Sequence, residues 1–372
     1  MNPMGITLAY NSALHVLRLL RAKGKDVKGM DRTTISRPVP WVGKRWSVAD
    51  FLPSQWSWQS VNAHDPLHIM VADPSDRVWL RGVKSHVCTR DLPPGSIVWV
   101  DEHTSMVSPP LLFLQMARYM SLPSLVMLGY ELCGHYSRNA ADPSNGPITD
   151  GLRAAMSVEE LTKYLQSAKS GWRLQQARKA AGYVQDHAVS IMEGLLSTIY
   201  SLPVKDLGYG MGPVTLNERV SLGGEEHGRS RYPDIMFSFA PIGINYDGSD
   251  HLDLDGLIAC ATQAERADED HRMEAQLDLE DKREAVRAKV VDDAARNRQL
   301  AACGRIVFPA TKENVFTEGA LDKFTREMLD CAHAIFGADV TQYKKSLNDT
   351  EVCNERFELL SSLMSFESAE CN

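Results

Sequence analysis

Two acidic residues and one amide are spaced so that neighbouring strands would bring them together. Asp234 follows a proline at the start of one predicted strand, and Asn245 and Asp247 lie at the end of the next. Side chains two residues apart share a strand face, so Asn245 and Asp247 should both point back toward Asp234. Clustered carboxylates hold Mg²⁺, which stabilises charge on a phosphate and activates an attacking water. The alternative is that Asp234 and Asp247 are ordinary turn residues.

Four more residues are candidates for this site. Glu193 offers another carboxylate, although its spacing from Ser190 is also that of a helix capping box. His251 would assist proton transfer or contact a phosphate, or is an ordinary loop histidine. Arg229 and Arg231 would bind nucleic-acid phosphates, or serve only the solubility of the surface.

The elements that must position these residues alternate between helical and strand-like patterns. The short turn Ala240-Pro241 predicts an antiparallel hairpin, and Gly304 predicts the end of a helix. The predicted order is a helix at Ser190 to Leu202, strands at Val214 to Ser221, Tyr232 to Phe239 and Ile242 to Tyr246, a charged helical region from about Ala261 to Ala302, and a strand at Arg305 to Phe308.

The N-terminal part of the chain mixes strand and helix patterns. A stretch rich in Pro, Gly and Asp at Asp142 to Gly151 predicts a boundary between domains at 1–150 and 151–372. The predicted strands are His68 to Val71, Val78 to Val87 and Ser96 to Val100, and the predicted helices are Asn11 to Lys23, Pro109 to Tyr119, Ser124 to Cys133 and Ser157 to Ser167, the last opened by a capping box.

The composition indicates the class and the cellular compartment of the protein. No apolar run is long enough to cross a bilayer, and the first residues lack the pattern of a secretory signal. We therefore expect a cytoplasmic protein that does not associate with a membrane. The seven cysteines include no CxxC pair, which argues against a disulfide framework or a structural zinc site. Most of the net charge of −8 comes from one segment, because nine acidic and four basic residues lie between 265 and 284.

Asp234, Asp247, Gly248 and His251 match, without a gap, an Asp followed eleven positions later by Glu-x-Asp-Gly-x-x-His. With Glu193 upstream and similar positions downstream from Asp293, this stretch resembles the very-short-patch-repair-like endonuclease family of actinobacteria, of the restriction-endonuclease-like, PD-(D/E)XK class. The resemblance implies an α/β core over roughly residues 190 to 311 that cleaves DNA with Mg²⁺. It implies metal ligands among Asp234, Asp247 and Asn245, and catalytic roles for Glu193, Asp234, Asp247 and His251.

The upstream region also carries a resemblance. It is similar to the N-terminal part of the same actinobacterial proteins, which are likened to abortive-infection antitoxins of type IV toxin–antitoxin systems. This implies a setting in phage defence or toxin–antitoxin regulation. The matching segments are Ser85 to Val87, Leu92 to Gly95, Ser108-Pro109, Leu114 to Ala117 and Leu128 to Gly134.

Two departures from the family pattern leave the function open. Asn245 stands where the family has Glu, and a neutral amide brings no charge to a metal site. A long helical insert at about 261–292 contains the acidic segment 265–284, which is a solvated face, a surface for a protein partner, or a cover over the phosphate-binding cleft.

The sequence therefore predicts an α+β protein with an N-terminal mixed α/β region and a restriction-endonuclease-like α/β core with a long helical insertion. The leading hypothesis is a DNA-interacting protein whose endonuclease-like domain uses Mg²⁺. The alternative is a catalytically inactive nuclease fold that binds DNA or a partner protein as a regulator. A third hypothesis makes the acidic helix the working surface.

Overall fold

A computed structural model describes residues 5–30, 37–38, 65–169, 173–222, 230–247, 254–267 and 271–366. The chain divides into two compact units. The first comprises Met1–Gly208 with Leu359–Asn372, and the second comprises Tyr209–Glu358. The boundary expected near residue 150 falls inside the first unit.

The first unit is built on a five-stranded mixed sheet in the order β3-β2-β1-β5-β4. The central strand β1 pairs antiparallel with β2 and parallel with β5. All three of its residues are buried, as expected for a strand in the middle of the sheet. The strands are β1 (Ile6–Leu8), β2 (Leu67–Val71), β3 (Val83–Val87), β4 (Ile97–Trp99) and β5 (Thr104–Val107).

Helices complete this unit. Ser157 and Glu160 form the expected capping box at the start of α4. Helix α3 is buried over most of its length and packs against α5 and α6. The helices are α1 (Tyr10–Ala22), α2 (Pro109–Met116), α3 (Leu122–Cys133), α4 (Val158–Ser167), α5 (Leu174–Ala181) and α6 (Ile191–Ser201).

A buried charge network holds this unit together. Glu131 on α3 accepts two hydrogen bonds of 2.7 Å from the Arg18 guanidinium, and further bonds from the Ser137 hydroxyl and the Arg138 backbone N–H. The Arg138 guanidinium in turn donates to the backbone oxygens of Leu363 and Met364. These bonds tie the C-terminal end of the chain to the first unit.

The second unit contains a four-stranded mixed sheet in the order β11-β10-β9-β6 and a two-stranded ribbon of β7 and β8. Strands β6, β9 and β10 are antiparallel neighbours, whereas β11 runs parallel to β10. The strands are β6 (Val214–Leu216), β7 (Val220–Ser221), β8 (Ser230–Arg231), β9 (Ile235–Phe237), β10 (Ile242–Asp247) and β11 (Ile306–Thr311).

Helices connect and cover this sheet. Helix α8 leads directly into β11 and packs against it, and α7 packs against α8. The helices are α7 (Leu254–Arg266), α8 (Arg272–Ala302), α9 (Lys312–Phe316), α10 (Ala320–Phe336), α11 (Thr341–Lys344) and α12 (Thr350–Met364). The last helix begins in the second unit, and its residues from Leu359 belong to the first.

Gly243 allows β9 and β10 to approach closely. A Cβ atom at this position would lie 2.4 Å from both the Ile235 backbone oxygen and the Met236 sulfur. Gly243 pairs with Met236 on one side and Val307 on the other, and these two residues form a buried cluster with Leu300 of α8 and Val220. Leu300 therefore marks where α8 packs on the sheet.

The structure confirms an α+β protein with mixed sheets. The expected hairpin is present, with its first strand shortened to Ile235–Phe237. The single helical region expected from about Ala261 is two helices, α7 and α8. Strands β1, β5 and β8 are additions to the predicted strands, and the single strand predicted at Val214 to Ser221 is two strands, β6 and β7.

Candidate functional site at the end of the β9–β10 hairpin

Asp234, Asn245 and Asp247, here called the hairpin site, lie at one end of the hairpin. Asp234 directly precedes β9, and the other two close β10. The Asn245 Oδ1 atom accepts the Asp234 backbone N–H at 3.1 Å, and Asp234 Oδ2 accepts the Tyr246 backbone N–H at 2.7 Å. The expectation that Asp234 and Asn245 meet is confirmed, and both are engaged with backbone donors.

Asp247 faces a cation from α8. Its Oδ1 atom lies 3.4 Å from a terminal guanidinium nitrogen of Arg296, and the same nitrogen lies 3.3 Å from Asp293 Oδ1. These side chains are largely shielded from solvent, at 16 % exposure for Arg296 and 23 % for Asp247. Arg296 thus bridges two carboxylates beside the hairpin.

Glu193 lies in the first unit, near the start of α6. Its carboxylate accepts the Val189 backbone N–H at 3.0 Å and the Ser190 hydroxyl at 3.1 Å, while Ser190 caps the Glu193 backbone N–H. The side chain is almost completely buried. Ser190 is the N-cap that the spacing predicted, and the Glu193 carboxylate accepts the backbone N–H of Val189, one residue before that cap.

Arg231 lies on β8 and is bound by α8. Its Nε donates to Gln299 at 2.7 Å, and its two terminal nitrogens bind the Asp292 carboxylate at 2.7 and 3.2 Å. The hydrogen bond from Arg231 lowers the pKa of Asp292. The two remaining candidates, Arg229 and His251, lie outside the described residues.

The donor set of the hairpin site does not fit Mg²⁺. This ion requires oxygen ligands close to octahedral geometry. The Asn245 carbonyl oxygen is turned to a backbone N–H, and Asp247 is paired with Arg296. Within the described ranges, no three His, Cys, Asp or Glu side chains are grouped so that they could hold a metal ion.

The acidic segment 265–284 covers the end of α7 and the first part of α8. Along α8, all of whose residues are described, only Ala275 and Leu300 are buried. Met273 is 75 % exposed and Leu277 is 56 % exposed, beside the exposed acids Glu274 and Asp278. The described residues of the segment, 265–267 and 271–284, are therefore mainly a solvated face that also presents apolar side chains.

A histidine pair in the first unit was not predicted as a feature. His68 on β2 and His86 on β3 share a 2.8 Å hydrogen bond between ring nitrogens, and the Tyr10 ring lies 4.1 Å from that of His86. Burial lowers the pKa of His68 to about 4 and that of His86 to about 3. The sequence alone does not give the parallel register of β2 and β3, which places both histidines on the same face of the sheet.

Comparisons of the chain with protein-family models, with curated proteins and with solved structures found no match. None of the helices in the described part of the chain combines the length and apolar character that a bilayer-spanning segment requires.

Proposed function

We propose that this is a DNA-interacting protein whose second unit has a restriction-endonuclease-like fold that binds without cutting. The observation that carries the proposal is the state of the hairpin site. Asn245 replaces an expected carboxylate and bonds to the Asp234 backbone, while Arg296 neutralises Asp247. These contacts favour a binding or regulatory role over metal-dependent hydrolysis.

The order of elements supports the fold assignment. In the second unit, β6 is followed by the β9–β10 hairpin, α8 and the parallel strand β11. Helix α6, which belongs to the first unit, precedes them along the chain, so the order is the helix, hairpin, helix, strand order that the resemblance implies. Asp234 and Asp247 lie at the hairpin end where that class keeps its carboxylates. DNA is proposed as the ligand from this resemblance and from Arg231 beside the hairpin.

The second candidate function is a Mg²⁺-dependent DNA endonuclease. It is favoured by one observation, namely that Asp234 and Asp247 retain both carboxylates at the same end of the hairpin. In that case Asp247 would have to leave Arg296, and the Asn245 carbonyl would have to leave the Asp234 N–H, before these two residues and Asp234 could hold an ion that supplies charge stabilisation at the phosphate. His251 is proposed to assist there. The setting in phage defence or toxin–antitoxin regulation is likewise a proposal.

One experiment separates the two candidates. Supercoiled and nicked DNA are incubated with the full chain and Mg²⁺ or Mn²⁺, and DNA binding is measured in parallel by fluorescence anisotropy. Binding without cleavage supports the first proposal. Cleavage that disappears in Asp234→Asn supports the endonuclease, and the absence of both binding and cleavage contradicts a DNA role.

The acidic segment 265–284 is proposed as a surface for a basic protein partner. Its exposed Met273 and Leu277 would add apolar contact to the charge attraction. The rival proposal is that the segment covers the DNA-binding surface. Neutralising Glu274 and Asp278 by substitution with Gln and Asn separates these roles, because DNA affinity should rise more than in charge-matched controls only if the segment covers that surface.

A further inference from the structure

Helix α8 and the hairpin site share one polar layer. Gly243 faces α8, because the residues that pair with it, Met236 and Val307, form a buried cluster with Leu300. Alternate residues of a strand share a face, so Asn245 and Asp247 also point toward α8. Arg296 lies one helical turn before Leu300 and therefore reaches the same layer.

In this layer the Arg296 guanidinium lies where two carboxylates converge. One terminal nitrogen contacts Asp247 at 3.4 Å and Asp293 at 3.3 Å. The Arg296 Nε atom is buried and has no hydrogen-bond partner among the described residues. The guanidinium is thus placed by the carboxylates it neutralises rather than by a full set of hydrogen bonds.

Asn245 adds an independent observation. The residue is 1 % exposed, and its Oδ1 must face the Asp234 N–H because only the oxygen can accept that bond. Its Nδ2 atom consequently points elsewhere, and it is buried without a partner within the described ranges. An amide nitrogen is a donor and repels a cation, so Asn245 turns a potential metal ligand away from metal binding.

We infer that Arg296 is the resident cation of the hairpin site, bridging Asp247 and Asp293 in place of a divalent metal ion. The inference rests on the proposed non-cutting function and names what makes the site independent of metal. Carboxylates held close together repel one another unless a cation lies between them. A covalently attached guanidinium supplies that charge at every metal concentration.

The inference predicts that two substitutions convert the site into a divalent-cation site. Arg296→Met removes the resident cation and keeps an unbranched, flexible side chain, although a shorter one. Asn245→Glu adds a carboxylate between Asp234 and Asp247. Together they would leave carboxylates in one layer without a counter-charge, which favours a hard cation with oxygen ligands.

The test uses the full chain and Mn²⁺ alone. Mn²⁺ binding is measured by electron paramagnetic resonance, and thermal unfolding is followed with and without Mn²⁺. Arg298→Met is the matched control, because Arg298 is exposed on the same helix. The wild type and Arg298→Met should show neither binding at millimolar Mn²⁺ nor a shift in Tm. The double variant should bind at least ~10-fold more tightly and gain Tm with Mn²⁺.

Two further variants keep the test decisive. Arg296→Lys retains the positive charge and should stay insensitive to Mn²⁺, even if the double variant does not fold. Arg296→Met alone should lose stability and regain part of it with Mn²⁺. Wild-type binding as tight as that of the double variant, or Mn²⁺ binding by Arg296→Lys equal to that of Arg296→Met, would overturn the inference. DNA is absent from every sample, so a failed DNA-binding proposal gives a separate result.

Discussion

Asp234 and Asn245 are hydrogen-bonded at the end of the β9–β10 hairpin, where the Asp234 backbone N–H donates to Asn245 Oδ1 at 3.1 Å. The Asp234 carboxylate in turn accepts the Tyr246 backbone N–H at 2.7 Å. The same residues that the sequence marks for metal chemistry therefore satisfy backbone groups where pairing between the two strands ends.

The first prediction concerns this connection. Asn245→Leu removes the acceptor and leaves the Asp234 N–H without its partner. The free energy of unfolding should fall by about 1–3 kcal/mol, the usual cost of a buried donor that loses its bond. Urea unfolding monitored by circular dichroism measures the change. Asn354→Leu, at an exposed position on α12, should change stability little, and an equal loss in both variants would contradict the prediction.

The second prediction concerns Glu131 in the first unit. Burial alone would raise the pKa of Glu131, but the charge and hydrogen bonds of Arg18, with Arg138 and Arg21, lower it to about 2. Glu131→Gln leaves these buried guanidinium groups without their counter-charge. The free energy of unfolding should fall by about 3–5 kcal/mol, as in other broken buried ion pairs. Glu159→Gln is the control, because Glu159 is exposed.

Because the pKa of Glu131 is lowered in the folded state, the free energy of unfolding should decrease at acidic pH. The unfolded chain protonates Glu131 near its ordinary pKa of 4.5, whereas the folded protein does so only near 2. The stabilisation is therefore complete above about pH 4.5 and is lost as the pH falls toward 2. Glu131→Gln should flatten this part of the stability curve. If Glu131→Gln loses stability at acidic pH as steeply as the wild type does, another group is responsible.

The third prediction places a separate pH dependence on His68 and His86. Both are held neutral in the folded state, with pKa values of about 4 and about 3 against an ordinary value of 6.5. The contribution of the two histidines to the free energy of unfolding is fully present above pH 6.5 and falls as the pH drops toward 4. The reason is that these histidines take up protons at a higher pH in the unfolded chain than in the folded protein. The slope should be about 1.4 kcal/mol per pH unit for each histidine.

Unfolding curves collected between pH 7 and pH 4 test this assignment. His68→Gln and His86→Gln should each reduce the slope in that window, whereas His103→Gln, at an exposed position, should not. If all three variants keep the wild-type slope, the pair does not control stability in this range.

Several features of both units could be predicted from local patterns. The turn at Ala240-Pro241 indicated the hairpin, and alternation along β10 indicated that Asn245 and Asp247 share a face. The capping box at Ser157 located the start of α4. These features depend on neighbouring residues, so the sequence contains their signal in full.

Other features depend on contacts between distant segments. Strand β1 has only three residues, which is too short for a periodic pattern, and its place is fixed by pairing with β2 and β5. The Arg296–Asp247 pair joins residues 49 positions apart. It exists because α8 crosses the sheet at Leu300, a packing relationship that no local spacing encodes.

The fourth prediction concerns the proposed DNA contact at Arg231. Asp292 binds this guanidinium through two nitrogens and is itself 60 % exposed, so the pair competes with any phosphate that approaches. Asp292→Asn should release Arg231 and raise DNA affinity at low salt. The slope of log K against log salt concentration should steepen by about 0.9, the value for one added phosphate contact.

The salt slope distinguishes a specific contact from a general change in charge. Asp281→Asn alters the net charge by the same amount at an exposed position of the same helix, away from Arg231. It should raise affinity less and leave the slope unchanged. Arg231→Ala should abolish the gain of Asp292→Asn when the two are combined, because the released side chain is then missing. Equal effects of Asp292→Asn and Asp281→Asn would mean that Arg231 does not contact DNA.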